Sequence, residues 1–180
     1  MTKYIYQDKL ESERLITRKL TINDIPAWID FISDGEAMEH FPDFGKQTVK
    51  EKSKQWISRQ LSRYAENRFG LQAIIEKDTN LFIGQCGLLS QEIDGKPELE
   101  VGYHIFKKYW GQGFAPEAAS IFIDYAFKKN LSSSVISIID KRNKKSQRVA
   151  EKNGLAREKE TIWMGLEVYI YRIYKEHWKF

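Results

Sequence analysis

Hydrophobic and polar positions alternate in two ways along this chain, and the change of period marks out its elements. Glu13 to Leu20 reads as a short strand. Thr21 or Asn23 can cap a helix running to about Ser33, with Pro26 in the first turn, where its missing N–H does little harm. Thr48 and Glu51 form a possible capping box. The helix after it places Trp56, Leu61, Tyr64 and Ala65 on roughly one face. The period then shortens. Phe69 to Glu76 and Leu81 to Leu89 read as strands around a turn at Lys77-Asp78-Thr79-Asn80. Asp94-Gly95 marks another turn, and Leu99 to Ile105 is the next strand, which completes an antiparallel meander. Pro116 to Lys129 is a helix with Ala119, Phe122, Ile123, Ala126 and Phe127 inward. Val135 to Ile139 reads as a buried strand. Ser146 to Asn153 is a short helix stopped by Gly154. Thr161 to Met164 and Val168 to Tyr174 form a final hairpin. The order β-α-α-β-β-β-α-β-α-β-β predicts a mixed α/β (α+β) domain.

Composition narrows this picture. At 180 residues and 42% hydrophobic content, the chain suits one compact domain over residues 1–180, with no repeat or low-complexity linker. No apolar run approaches the ~20 residues that cross a bilayer. Met1 to Leu10 is charged and lacks the apolar segment of a signal peptide. Cys86 is the single cysteine, so no internal disulfide forms, and a cytoplasmic setting is expected. The net charge of +4, from 29 basic and 25 acidic residues, does not argue for a nucleic-acid partner. No membrane partner and no metal are expected.

The chemistry concentrates in Tyr109-Trp110-Gly111-Gln112-Gly113-Phe114-Ala115-Pro116-Glu117-Ala118, where a strand gives way to a helix. Two glycines and an alanine there let backbone N–H groups approach an anion, and a helix N-terminus supplies unpaired donors and partial positive charge. A diphosphate is the expected ligand. The Gly-Lys-Ser/Thr ending of a P-loop is missing, and position 116 is Pro where a Rossmann turn needs Gly. On the preceding strand, alternation puts Glu100, Gly102 and His104 on one face and Val101, Tyr103 and Ile105 on the other. Glu100 also fits a solvated strand carboxylate, and a lone His on a strand such as His104 is more often structural. Asn143 and Ser146 read as caps of the following helix. Lys141, Arg142, Lys144, Lys145 and Arg148 form a basic cluster without the interleaved aromatics that stack bases.

Four segments in this order carry a family resemblance: Glu13-Arg14-Leu15; Ile83 to Leu88 with Glu98 to Tyr103; Tyr109 to Ala118; and Asn143 to Gly154. With them the chain resembles the Gcn5-related N-acetyltransferases, in particular the ribosomal-protein N-terminal subgroup (RimJ/RimL). The resemblance spans about Leu10 to Arg157. Gly113-Phe114-Ala115 matches the second half of the family's acetyl-CoA turn, whereas Trp110 stands where Gln or Arg is usual. It implies a mixed, mostly antiparallel sheet flanked by helices, and acetyl transfer from acetyl-CoA to a primary amine, either a protein N-terminal α-amine or a small-molecule amine. It also implies a cofactor site at Val101, Tyr103, Ile105, Trp110, Gly111, Gln112, Gly113, Phe114, Ala115, Asn143, Ser146 and Arg148. The pantetheine arm is expected to pair with the strand of residues 101–105. Glu100 is expected to steer the amine or accept its proton, with His104 as the alternative base. Ser146 is expected to donate to the departing sulfur. Met38 to Phe44 is expected to help build the acceptor groove. The partners implied are acetyl-CoA and an amine, in a monomer or homodimer. The reading from another class is a CoA-binding module without catalysis, a sensor or scaffold.

Overall fold

In a computed structural model that describes residues 4, 6–43 and 45–179, the elements follow the expected order along the chain. The strands are β1 (Leu15–Arg18), β2 (Leu71–Glu76), β3 (Phe82–Ile93), β4 (Lys96–Ile105), β5 (Ser134–Asp140), β6 (Ala156–Trp163) and β7 (Leu166–Tyr174). The helices are α1 (Ile25–Ser33), α2 (Gly35–Met38), α3 (Val49–Ala65), α4 (Phe114–Lys128) and α5 (Lys144–Lys152). They build a seven-stranded sheet of order β1-β2-β3-β4-β5-β7-β6. Every neighbouring pair is antiparallel except β4–β5, which is parallel. The mixed, mostly antiparallel sheet flanked by helices is thus present.

The sheet buries both faces. On one side, α4 packs Phe122, Ile123, Ala126 and Phe127 against Leu15, Ile83 and Val101. On the other, α1 and α3 enclose Trp28, Phe31, Ile57, Ala73 and Phe106. Strand β2 divides between them: Ala73 and Ile75 join the second cluster and Ile74 the first, as the period of two requires.

Several boundaries differ from the sequence pattern for identifiable reasons. The β3–β4 hairpin is longer than expected, and Asp94 (φ 51°) and Gly95 (φ 75°) form its tight turn. Strand β6 begins at Ala156 because its polar residues pair along β7 at the sheet edge, where one face stays in water. Helix α4 starts at Phe114 rather than Pro116, with Gly113 as its N-cap. Asp24 caps α1, while Thr21 serves the single 3-10 turn Ile22–Asp24 before it. The buried positions of α3 are Ser53, Ile57 and Gln60, and Ala65 is exposed. The Thr48–Glu51 capping box and the stop at Gly154 (φ 75°) are as expected.

β4 and β5 share a single registered pair, Glu100 with Ile136, although β4 continues to Ile105 and β5 to Asp140. Beyond that pair the Ser137 hydroxyl bridges to the Val101 carbonyl at 3.0 Å, and the strands part into a wedge.

Candidate active site

The glycine turn follows directly from its backbone. Gly111 and Gly113 have φ of 76° and 83°, a region where a side chain is strained. Gly113 caps α4 with no side chain to satisfy the first N–H groups, so those donors stay available at the positive end of the helix. A Cβ on Gly113 would come within 3.3 Å of Arg14 Nη2.

Arg14 braces this turn, a role the sequence does not reveal. Its Nη1 donates to the Gln112 carbonyl at 3.0 Å and its Nε to Glu117 Oε2 at 2.7 Å. Its guanidinium lies 4.3 Å from the Phe114 ring centre. Glu117 also accepts from the Arg14 amide at 2.8 Å and the Ser12 hydroxyl at 2.7 Å. Burial pushes the Glu117 pKa up, but these hydrogen bonds outweigh it and leave the pKa below its usual value. Glu117→Ala leaves Arg14 and Ser12 without their acceptor. The expected cost is about 1–3 kcal/mol, read by urea denaturation.

A cleft of about 1160 Å³ runs from this turn through the β4–β5 wedge to the α1–α3 side of the sheet. Glu100, Val101, Tyr103, Ile105, Trp110, Gly111, Gly113, Phe114, Ala115, Asn143, Ser146 and Arg148 all line it. Gln112 does not: its side chain turns back to the Lys108 carbonyl at 3.2 Å. The Trp110 indole donates to the Ile105 carbonyl at 2.7 Å and carries Lys145 Nζ 4.4 Å from its ring centre. Its side chain therefore closes the end of β4.

Asn143 is the N-cap of α5, its Oδ1 accepting from the Ser146 amide at 2.9 Å. Ser146 itself lies inside the helix, so capping falls to Asn143 alone. The Ser146 hydroxyl is free of that duty and meets the Tyr103 hydroxyl at 2.9 Å. Burial pushes the Tyr103 phenol well above its usual pKa, so it stays protonated.

On the other side of the wedge, Glu100 is buried and accepts from Gln91 Nε2 at 2.6 Å. Burial raises its pKa to about 7 against the pull of Gln91 and the Ile138 amide. It is not a solvated carboxylate. His104 sits among Phe31, Phe41 and Trp56, with ring centres 5.1–6.2 Å away. Burial lowers its pKa to about 4. His40, Phe41 and Pro42 line the same end of the cleft, and Phe44 lies outside the described residues. Glu36 on α2 pairs with Lys107 at 2.8 Å and with Lys145, tying this end to the turn. Among the described residues no group of three or more His, Cys, Asp or Glu could hold a metal ion, and no helix is long and apolar enough to cross a membrane.

Residues 14–156 match the family model described as an acetyltransferase (GNAT) domain. The chain belongs to the GNAT acetyltransferase family. This acyltransferase is 35% identical over 108 residues to the uncharacterized protein YkkB of Bacillus subtilis (strain 168). That match covers 59% of the acetyltransferase and 62% of YkkB, less than two thirds of the relative's length. A GNAT-family acetyltransferase structure from Bacillus anthracis superposes with a TM-score of 0.77 at 26% identity, over 93% of this chain and 98% of that one. Mycobacterium smegmatis RimJ, solved in complex with CoA-disulfide, shares the fold with a TM-score of 0.75 at 18% identity, over 90% of this chain and 82% of RimJ.

Proposed function

We propose that this acetyltransferase moves an acetyl group from acetyl-CoA to a primary amine by direct attack, with both substrates in the one cleft. The observation that carries the reading is the continuity of that cleft, from the anion-ready turn, past Tyr103 and Ser146, to the buried carboxyl of Glu100. The amides of Gly111 to Ala115 hold the diphosphate, each hydrogen bond to a charged group contributing about 1.5–3 kcal/mol. Arg148 reaches an outer phosphate. The open edge of β4 from Val101 to Ile105, with Asn143, lines the pantetheine arm.

The relative proton affinities favour Glu100 over His104 as base. An α-ammonium of pKa ~7.8 gives its proton to a carboxylate of pKa about 7 at a cost of only about 1 kcal/mol. Transfer to an imidazole of pKa about 4 costs about 5 kcal/mol. In the transfer, the amine nitrogen bonds to the thioester carbonyl carbon and the carbon–sulfur bond breaks. Glu100 takes the ammonium proton and loses it to solvent before attack, then takes the second proton that the adduct nitrogen sheds, and the sulfur takes a proton through the hydroxyl pair of Ser146 and Tyr103. Exchange with solvent restores both groups. The lone buried Cys86 suits the reducing cytoplasm, and the exposed edge strand β6 is compatible with a monomer or a homodimer.

Free thiol formed per acetyl consumed tests this reading. Ser146→Ala is expected to lower kcat about tenfold, and Tyr103→Phe by a similar factor, because each removes part of one hydrogen-bonded pair. The double variant is then no slower than the slower single one. Losses that multiply would contradict a shared proton path. Binding of acetyl-CoA with no thiol release from any amine would support the non-catalytic module instead.

A further inference from the structure

The arginines of this chain divide by partner. Arg14, Arg18, Arg68, Arg142 and Arg172 each hold a carboxylate within 2.6–2.7 Å. Arg59, Arg63, Arg148 and Arg157 hold none among the described residues; Arg148 lines the cleft from α5, and Arg59 and Arg63 line it as well. They lie on α3 with Trp56 and Gln60, at spacings of three, four and seven residues from Trp56, so one stripe of the helix faces the cavity. Arg63 is half-buried and positioned, not loose: Gln60 Oε1 accepts from it at 3.2 Å and from the Leu71 amide at 2.9 Å. Arg63 has no carboxylate in ion-pair contact, only the longer-range pull of Glu100, so a ligand carboxylate would complete its partners. Glu100 lines the same cavity within electrostatic reach of Arg63, and Phe31, Phe41 and Trp56 form its aromatic wall.

We propose that the acceptor is a small zwitterion, a primary amine with a carboxylate a few bonds away and an apolar body: its amine faces Glu100, its carboxylate meets Arg63 and Arg59, and its body lies on the aromatic wall. This deepens, and rests on, the acetyl-transfer reading. It disfavours polycationic acceptors, since of the other acids lining the cleft Glu36 is shared by Lys107 and Lys145, Asp140 is held by Arg142, and Glu39 lies beside His40. Arg148 at the other end of the cleft remains for the donor's phosphate.

The test compares kcat/KM for L-phenylalanine, L-phenylalaninamide, 2-phenylethylamine and the dipeptide Phe-Asp amide, in the wild type and in Arg63→Gln and Arg59→Gln. Arg59 is exposed, so its variant reports even where Arg63→Gln folds poorly. The expected result is a preference of about tenfold to a hundredfold for the free carboxylate over its amide, the effect of one charge-assisted hydrogen bond. That ratio shrinks toward one in each arginine variant. Equal rates for acid and amide, or a ratio unmoved by both variants, overturn the inference while the acetyl-transfer reading stands. Faster turnover of the dipeptide overturns the small-acceptor assignment in favour of a peptide N-terminus. No thiol release from any amine overturns both readings.

Discussion

Glu100→Gln is expected to lower turnover by about a hundred- to ten-thousandfold, the range for loss of a positioned general base. The amide keeps the shape of the carboxyl and its contact with Gln91, so the loss reports proton transfer rather than packing. The pH dependence is the sharper readout. With a Glu100 pKa of about 7, kcat/KM rises with pH as the carboxyl ionises and levels off above that value. In the variant this limb disappears and the profile follows the acceptor amine alone. A limb near pH 7 that persists in Glu100→Gln would assign the base elsewhere. The same raised pKa has a consequence for stability. A carboxyl whose folded pKa exceeds its unfolded one stabilises the fold fully below about 4.5, and that contribution is lost as pH rises through about 7. Thermal melts of Glu100→Gln are therefore expected to be flatter than those of the wild type between those two values.

Trp28→Ala is expected to cost about 3–5 kcal/mol, a large share of the stability of a domain this size. Trp28 is fully buried. It stacks on Phe31 at 4.3 Å and touches Trp56, Phe82 and Phe106, with ring centres 5.6–6.2 Å away. No single helix makes this cluster; α1, α3, β3 and the end of β4 meet around one indole. Because Phe31 and Trp56 also line the cleft, the variant is expected to lose acceptor discrimination at temperatures where it is still folded. A urea midpoint close to that of the wild type would show that the cluster rearranges around the gap.

The parts of the molecule that local chemistry determines were legible before any fold was built. Gly111 and Gly113 stand where the backbone needs positive φ, and Asn143 stands where α5 needs a cap. The inward residues of α4 and the two faces of β4 followed from period alone. What escaped was set by distant partners. On α3, Trp56, Leu61 and Tyr64 pack on the core as their spacing indicates, but Ala65 is exposed and the buried positions include Ser53 and Gln60, polar residues that find acceptors or donors at Val49 and Leu71. Nothing local to Ser146 announces that the hydroxyl of Tyr103, 43 residues earlier, reaches its own. Arg14 was visible as part of a motif, but its partner Glu117 lies 103 residues away. The parting of β4 from β5 has no local signature; it becomes evident only once Glu100 and Ile136 are seen as their one registered pair.

The acetyl-transfer reading requires the turn at Gly111–Ala115 to receive the donor's diphosphate. Calorimetric titration of the protein with acetyl-CoA tests it most directly, beside the same titration of Gly113→Glu. That variant puts a strained side chain where φ is 83°, and a negative charge where the phosphates would lie. The expected result is one-to-one binding with Kd of about micromolar order, weakened at least about a hundredfold in the variant. No binding by the wild type, or equal binding by a folded Gly113→Glu, would contradict it.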